Sequence, residues 1–269
     1  MTEIEKVYYR TNRFQDLFKE NQYINFKNFL YNYLLRSMSV EKNFKHERPD
    51  VILEVGSGIS PVMRRANRII YSDLSVTALQ ILKRTHKKGW YVVADGMNLP
   101  FRDEVFSHTI SSEVLEHIKD DQKALSELAR VMRISGRFII TFPHRKAYFA
   151  NDDRFVNHFR RYELAEMVDR LKKAGFEPLS TQKVLGPLEK LTMCIVVFCF
   201  SKIQKHRNKK IKDINKFKLM NIFIFIFKWA NRLFMGIVWL DARIMPMSLA
   251  TVLLIKSTLL NRQSKNGFG

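Results

Sequence analysis

The chain has 269 residues and a 46% hydrophobic share, so it is a folded protein with one large domain or one domain plus an elaboration. Its two cysteines, Cys194 and Cys199, build neither a disulfide framework nor a zinc site, and they read as packing residues in a reducing compartment. The amino terminus carries no apolar stretch of signal-peptide length, so a cytoplasmic location is expected, and 46 Lys and Arg against 26 Asp and Glu, a net charge of +20, imply a polyanionic partner, either nucleic acid or an anionic lipid surface.

The first 49 residues place aromatic and aliphatic side chains at helical spacing (Phe14, Leu17, Phe18; Phe26, Phe29, Leu30, Tyr33, Leu34), which predicts a helical cap ending before Arg48-Pro49. From Val51 the pattern changes to short, partly β-branched runs: VILEV at 51–55, RIIYSD at 68–73, YVVAD at 91–95, VFSHTISS at 105–112 and RFIITF at 137–142. Helical stretches lie between some of them, clearest over Glu113–Met132, and this alternation predicts a parallel sheet with right-handed crossovers. A helix over Tyr162–Lys173 ends at Ala174-Gly175, a strand follows at 176–184, and the last strand is ATVLLIKS at 250–257. The span between these two strands is far longer than an ordinary connection and is read as an insertion, 187–248. The expected organisation is therefore a cap (1–49), a core (50–186), the insertion, a returning strand (249–258) and a tail (259–269).

Leu53-Glu54-Val55-Gly56-Ser57-Gly58 follows the first strand directly, where glycines let the backbone turn and approach a ligand at the carboxyl edge of a sheet. A dinucleotide fingerprint needs a third glycine three residues on, and Pro61 stands there. The second strand ends at Asp73, followed by Leu74, where a carboxylate can accept both ribose hydroxyls of a nucleoside. The third ends in Ala94-Asp95-Gly96-Met97, where an acid can receive an adenine amino group. Each acid alone is equally well read as a helix or turn cap. Three acids at successive strand ends beside a GxG make the nucleoside reading the stronger one.

LEVGSG, YSDLS, VADGMNLPFRDEVFSHTISSEVLEHIKD and VMRISGRFIITFPHR together resemble the class I S-adenosylmethionine-dependent methyltransferases, closest to the branch acting on small molecules, lipids and glycans. The resemblance covers about residues 50–186. It implies a doubly wound, Rossmann-like α/β fold with a seven-stranded sheet whose last strand is antiparallel, and S-adenosyl-L-methionine as cofactor. By position it implies that Glu54, Gly56 and Gly58 hold the methionine end, Asp73 and Leu74 the ribose, and Asp95, Gly96 and Met97 the adenine. Ser112 and Glu113 would then face the cofactor near its methyl group. Only ten residues separate Gly58 from Arg68, so the first helix is expected to be short.

Methyl transfer is an in-line displacement in which the enzyme mainly aligns the nucleophile and assists proton removal. Candidates for the latter are His144, after the fifth strand, and His158 in His158-Phe159-Arg160-Arg161-Tyr162, with Glu113 beside them; His117 is read as structural. Arg160 and Tyr162 are candidate substrate contacts, against the plainer reading of that segment as helix entry and lid packing. No metal is assigned. The Asn/Asp-Pro-Pro-aromatic segment of adenine-methylating nucleic-acid enzymes is replaced by Ser111-Ser112-Glu113-Val114, and neither cysteine follows proline as a cytosine C5 nucleophile would.

Residues 202–218 carry eight Lys or Arg and one Asp, and the apolar run 219–240 holds Lys228 and Arg232 near its middle. Each would cost about 2.5–3.5 kcal/mol at a bilayer centre, so a helix lying in the membrane interface is favoured over one crossing it. Burial against the core or in a dimer is the competing reading. The expected function is methyl transfer to a small or membrane-associated acceptor (a lipid, a lipid-linked glycan or a quinone-like molecule) by an enzyme peripheral on the inner face of a membrane. The alternatives are an RNA methyltransferase that binds phosphates and a scaffold that has kept the fold without activity.

Overall fold

The computed structural model describes residues 30–45, 47–194 and 215–260. Seven strands form one sheet: β1 (Ile52–Val55), β2 (Ile69–Asp73), β3 (Trp90–Val93), β4 (Phe106–Ser112), β5 (Met132–Pro143), β6 (Phe176–Leu185) and β7 (Val252–Leu259), in spatial order β3-β2-β1-β4-β5-β7-β6. Pairs among β1–β5 are parallel, and β7 runs antiparallel to both its neighbours, as expected. Every side chain of β1 is buried, which is why its sequence is a continuous apolar run broken only by Glu54.

Helices cover both faces. On one, α3 (Asp121–Val131) and α5 (Leu164–Lys173) bring Leu125, Leu128, Met167 and Leu171 against Phe138 and Phe176. On the other, α1 (Tyr31–Asn43) and α2 (Val76–Thr85) bring Tyr33, Leu35, Leu79 and Leu82 against Ile69 and Ile139. Each such fully buried side chain contributes about 1.5–3 kcal/mol.

Three elements depart from expectation. No helix forms between Gly56 and Arg68; the chain runs through turns and bends. The single helix expected over Glu113–Met132 is a 3₁₀ turn at Leu115–His117 followed by α3, which starts afresh where the Asp120 carboxylate accepts from Lys123 N–H. And β5 begins at Met132, five residues early, through a register shift against β4.

The insertion contributes helical residues 187–194 and a long α6 (Asn215–Ile244). One face of α6 is seated on the domain: Val238 and Ala242 are buried, Asn231 Oδ1 accepts from Tyr31 N–H, and Asp241 accepts from Leu188 N–H. Lys190 is buried in ion pairs with Asp152 and Asp153 of α4 (Asn151–Phe155). Cys194 is exposed rather than packed, with its thiol 3.8 Å from Asp152 Oδ1. Cys199, residues 202–214 of the basic run and the Lys228 side chain lie outside the described residues. Among the described residues no helix is long and apolar enough to cross a membrane.

Candidate functional site

The predicted nucleoside-binding residues meet at the carboxyl edge of β1–β4. Gly56 and Gly58 both hold left-handed backbone (φ 72° and 54°), and Gly56 and Ser57 N–H donate to the Ser72 carbonyl, so the GxG turn is folded back over the end of β2. A Cβ at Gly56 would fall 2.3 Å from Val114 Cγ2, so glycine is required by space as well as by φ.

Asp73 closes this turn. One carboxylate oxygen accepts from Gly58 N–H (2.8 Å) and the other from Ser75 N–H (2.8 Å), and Ser75 in turn caps α2 by accepting from Ala78 N–H. Leu74 is half-buried between them. At the end of β3, Asp95 Oδ1 accepts from Met97 N–H (3.0 Å) and the main chain of Asp95 pairs with Asn98, which makes a tight turn carrying Gly96 and Met97. The helix-cap and ligand readings of these acids are thus compatible, because a carboxylate oxygen with one N–H bond keeps a lone pair for a hydroxyl or amino group.

Glu54, expected at the methionine end, is engaged by the loop that follows the GxG turn. It is buried, and its two oxygens accept from Val62 N–H (2.7 Å) and Met63 N–H (3.0 Å). Burial raises its carboxyl to about 8 against the opposing pull of those two bonds. Glu54 therefore shapes the loop. It supplies, across eight and nine residues, the backbone partners that a helix would otherwise provide.

At the end of β4, Ser112 Oγ bonds Thr141 Oγ1 (2.8 Å). Glu113 takes a left-handed φ of 56°, its N–H donates to the Thr141 carbonyl, and its Oε2 lies 3.8 Å from Arg36 Nη1. His144 is buried, with Nδ1 on the Ala250 carbonyl (2.8 Å) and Nε2 3.8 Å from Glu163 Oε2. It lines a cleft of ≈ 590 Å³ with Arg145, Glu163, Met247 and Ser248, beside the end of α6.

The segment His158–Tyr162 packs inward. Tyr162 has no exposed surface and donates its hydroxyl to Asp121 (2.8 Å), which also receives Arg160 and Arg170. Arg160 spends its second nitrogen on the Lys119 carbonyl. Arg160 and Tyr162, the expected substrate contacts, thus tie the segment entering α5 to the start of α3. His158 lies elsewhere, its Nδ1 held by Asp153 Oδ1 (2.9 Å) and its ring edge-on to His117 with centroids 4.7 Å apart. Burial would raise Asp153, but His158, Arg161 and Lys190 outweigh it and hold that carboxyl well below its usual range.

Sequence reasoning passed over Glu116. It is fully buried, and neither oxygen has a hydrogen-bond partner among the described residues. Its spacing from Glu113 and its position next to His117 were the available signals.

The family model described as a methyltransferase domain matches residues 53–140. An uncharacterized protein of Methanocaldococcus jannaschii is 25% identical over 181 residues, 66% of this chain and 78% of that protein. The demethylmenaquinone methyltransferase of Streptomyces griseus is 33% identical over 93 residues, 33% of this chain and 40% of its own. Among solved structures, phosphoethanolamine N-methyltransferase 2 of Haemonchus contortus, in complex with S-adenosyl-L-methionine, superposes with a TM-score of 0.57 at 18% identity over 92% of this chain and 60% of that one.

Proposed function

Since this chain is a class I S-adenosylmethionine-dependent methyltransferase, we propose that its acceptor is an apolar or lipid-type molecule, quinone-like among the options, methylated at an anionic membrane surface on the cytoplasmic side. The bound cofactor supplies a methyl group on a sulfonium, which is already an excellent leaving group. The chain's own contribution is placement. Gly56 and Gly58 open the backbone at the sheet edge, Asp73 offers acceptor lone pairs to ribose hydroxyls, and the Asp95–Asn98 turn borders the base. This donor and acceptor set fits a nucleoside without a pyrophosphate, because no helix N-terminus stands after the GxG to receive one.

The observation that carries the acceptor reading is the outer face of α6. Trp229, Leu233, Ile237, Leu240 and Ile244 recur at intervals of three and four, form one stripe, and are 50–68% exposed. Arg232 and Arg243 flank it, both exposed, and the latter stacks on Trp239. An apolar stripe edged by cations, on a chain of net charge +20, is complementary to an anionic bilayer surface. Met247 and Ser248, just beyond the helix, line the His144 cleft. The relationship to a demethylmenaquinone methyltransferase supports an acceptor of that chemical class.

Co-sedimentation of the full-length protein with liposomes tests this. Pelleting with anionic vesicles that persists at 0.5 M salt is the expected result. Binding to RNA that collapses with salt, with no vesicle binding, would overturn it in favour of a phosphate-binding RNA enzyme.

A further inference from the structure

Two acids and two histidines converge where β4 leaves the sheet. One ligand atom each from Glu116, His117 and His158 lies within 4.8 Å of the others. Within this group His117 Nδ1 bonds the Asn157 carbonyl at 3.3 Å, while the Glu116 carboxylate has no hydrogen-bond donor among the described residues. His158 gives its Nδ1 side to Asp153, whose carboxylate is itself fixed by Arg161 and Lys190. His158 Nε2 faces Glu116 Oε1 at 3.7 Å, too far for a hydrogen bond. Glu116 has no exposed surface, and neither of its oxygens finds a donor among the described residues. Glu113 Oε1 is buried in the same condition three residues earlier.

We propose that Glu116, His117 and His158 hold a divalent first-row transition-metal ion, with Glu113 as the adjoining carboxylate. A cation among these ligand atoms gives the Glu116 carboxylate the partner it lacks and removes the cost of burying it without a donor. The donor set, imidazole and carboxylate with no thiolate, suits Mn²⁺, Fe²⁺, Co²⁺ or Zn²⁺ better than Ca²⁺ or Mg²⁺, which take oxygen ligands. Asp153 then stands behind His158 as the outer carboxylate that fixes ring orientation in metal sites.

The position gives the ion a use. Val114, between Glu113 and Leu115, packs directly on Gly56, so the cluster adjoins the cofactor turn. On the methyl-transfer reading above, a metal there takes the oxygen of an acceptor hydroxyl as a ligand and makes it more acidic. The hydroxyl proton leaves to solvent, the oxygen attacks the methyl carbon, and the C–S bond breaks with its electron pair going to sulfur. Within the acceptor class proposed above, this favours molecules that bear a hydroxyl, a hydroquinone rather than a quinone among them.

The test uses full-length protein stripped with EDTA and titrated with MnCl₂ by calorimetry and with CoCl₂ by visible absorption. One ion per chain is expected. In Glu116→Gln and in His158→Asn its affinity should fall at least about tenfold, with S-adenosylmethionine affinity within about twofold of the parent as evidence of an intact fold. Absence of Mn²⁺ and Co²⁺ uptake by the stripped parent would overturn the site, and so would uptake unchanged in both variants. The two claims fail separately: a protein that takes up the ion but not S-adenosylmethionine keeps the site and loses the methyl-transfer reading.

Discussion

Glu54→Gln probes the segment that replaces the missing helix. The glutamine keeps one acceptor but turns an amide N–H₂ toward a backbone N–H, so one of the two bonds to Val62 and Met63 is lost and a buried donor is left facing a donor. That costs about 1–3 kcal/mol. The pH dependence follows from the raised carboxyl. A group whose folded pKa lies near 8, against an unfolded value of 4.5, contributes stability that is fully present below the unfolded pKa and is lost as pH rises through the folded one. Between pH 5.5 and 8 that loss is on the order of 3 kcal/mol at about 1.36 kcal/mol per unit. The parent should therefore be the more stable protein at pH 5.5, and its advantage over Glu54→Gln should shrink or invert by pH 8.5. Urea denaturation of both proteins at half-unit pH intervals measures this, with m-values held in common as the control. A difference that stays flat with pH would refute the buried, late-ionising carboxyl. No destabilisation at pH 5.5 would refute the two backbone bonds.

Gly56→Ala combines a left-handed φ with a Cβ 2.3 Å from Val114 Cγ2, and it should cost about 2–4 kcal/mol in chemical denaturation and weaken cofactor binding; an unchanged protein would mean the turn is looser than described. Leu233→Glu with Ile237→Glu changes two exposed side chains of α6, so melting temperature should stay within a few degrees while liposome pelleting is lost. Undiminished pelleting would move the membrane contact off this helix.

Part of the sheet was legible because buried parallel strands have little choice: VILEV is apolar but for Glu54 and RIIYSD holds an apolar run after Arg68, whereas VFSHTISS is buried although five of its eight residues are polar. The antiparallel β7 entered through family resemblance, since nothing in ATVLLIKS sets strand direction. The break at Ile118–Asp120 was hidden because Glu113–Met132 has helical composition throughout, although Asp120 with Lys123 is a helix start inside that run. The absent helix after Gly58 shows the opposite failure. A short span was read as a short helix, whereas Glu54 reaches across it and supplies backbone partners from a side chain.

Site residues divided along the same line. The places of Asp73 and Asp95 at the sheet edge were legible because Asp73 ends β2 and Asp95 stands two residues past β3, so the strands fix where these acids lie. Tyr162 and Arg160 could not be judged, since their partner Asp121 lies about forty residues away and only the α3–α5 contact brings them together. The cluster at Glu116 is not legible in the sequence for the same reason: His158 lies about forty residues away and only the fold brings it to Glu116 and His117.

S-adenosylmethionine binding by calorimetry, on the purified chain and on Asp73→Ala, tests the central claim most directly. The account predicts one site per chain in the parent. In the variant it predicts affinity lower by about a hundredfold, the worth of two charge-assisted hydrogen bonds at about 1.5 kcal/mol each, with the fold intact by circular dichroism. A parent that binds no S-adenosylmethionine, or a variant that binds it equally well, would contradict the cofactor site as it is drawn at the carboxyl edge of this sheet.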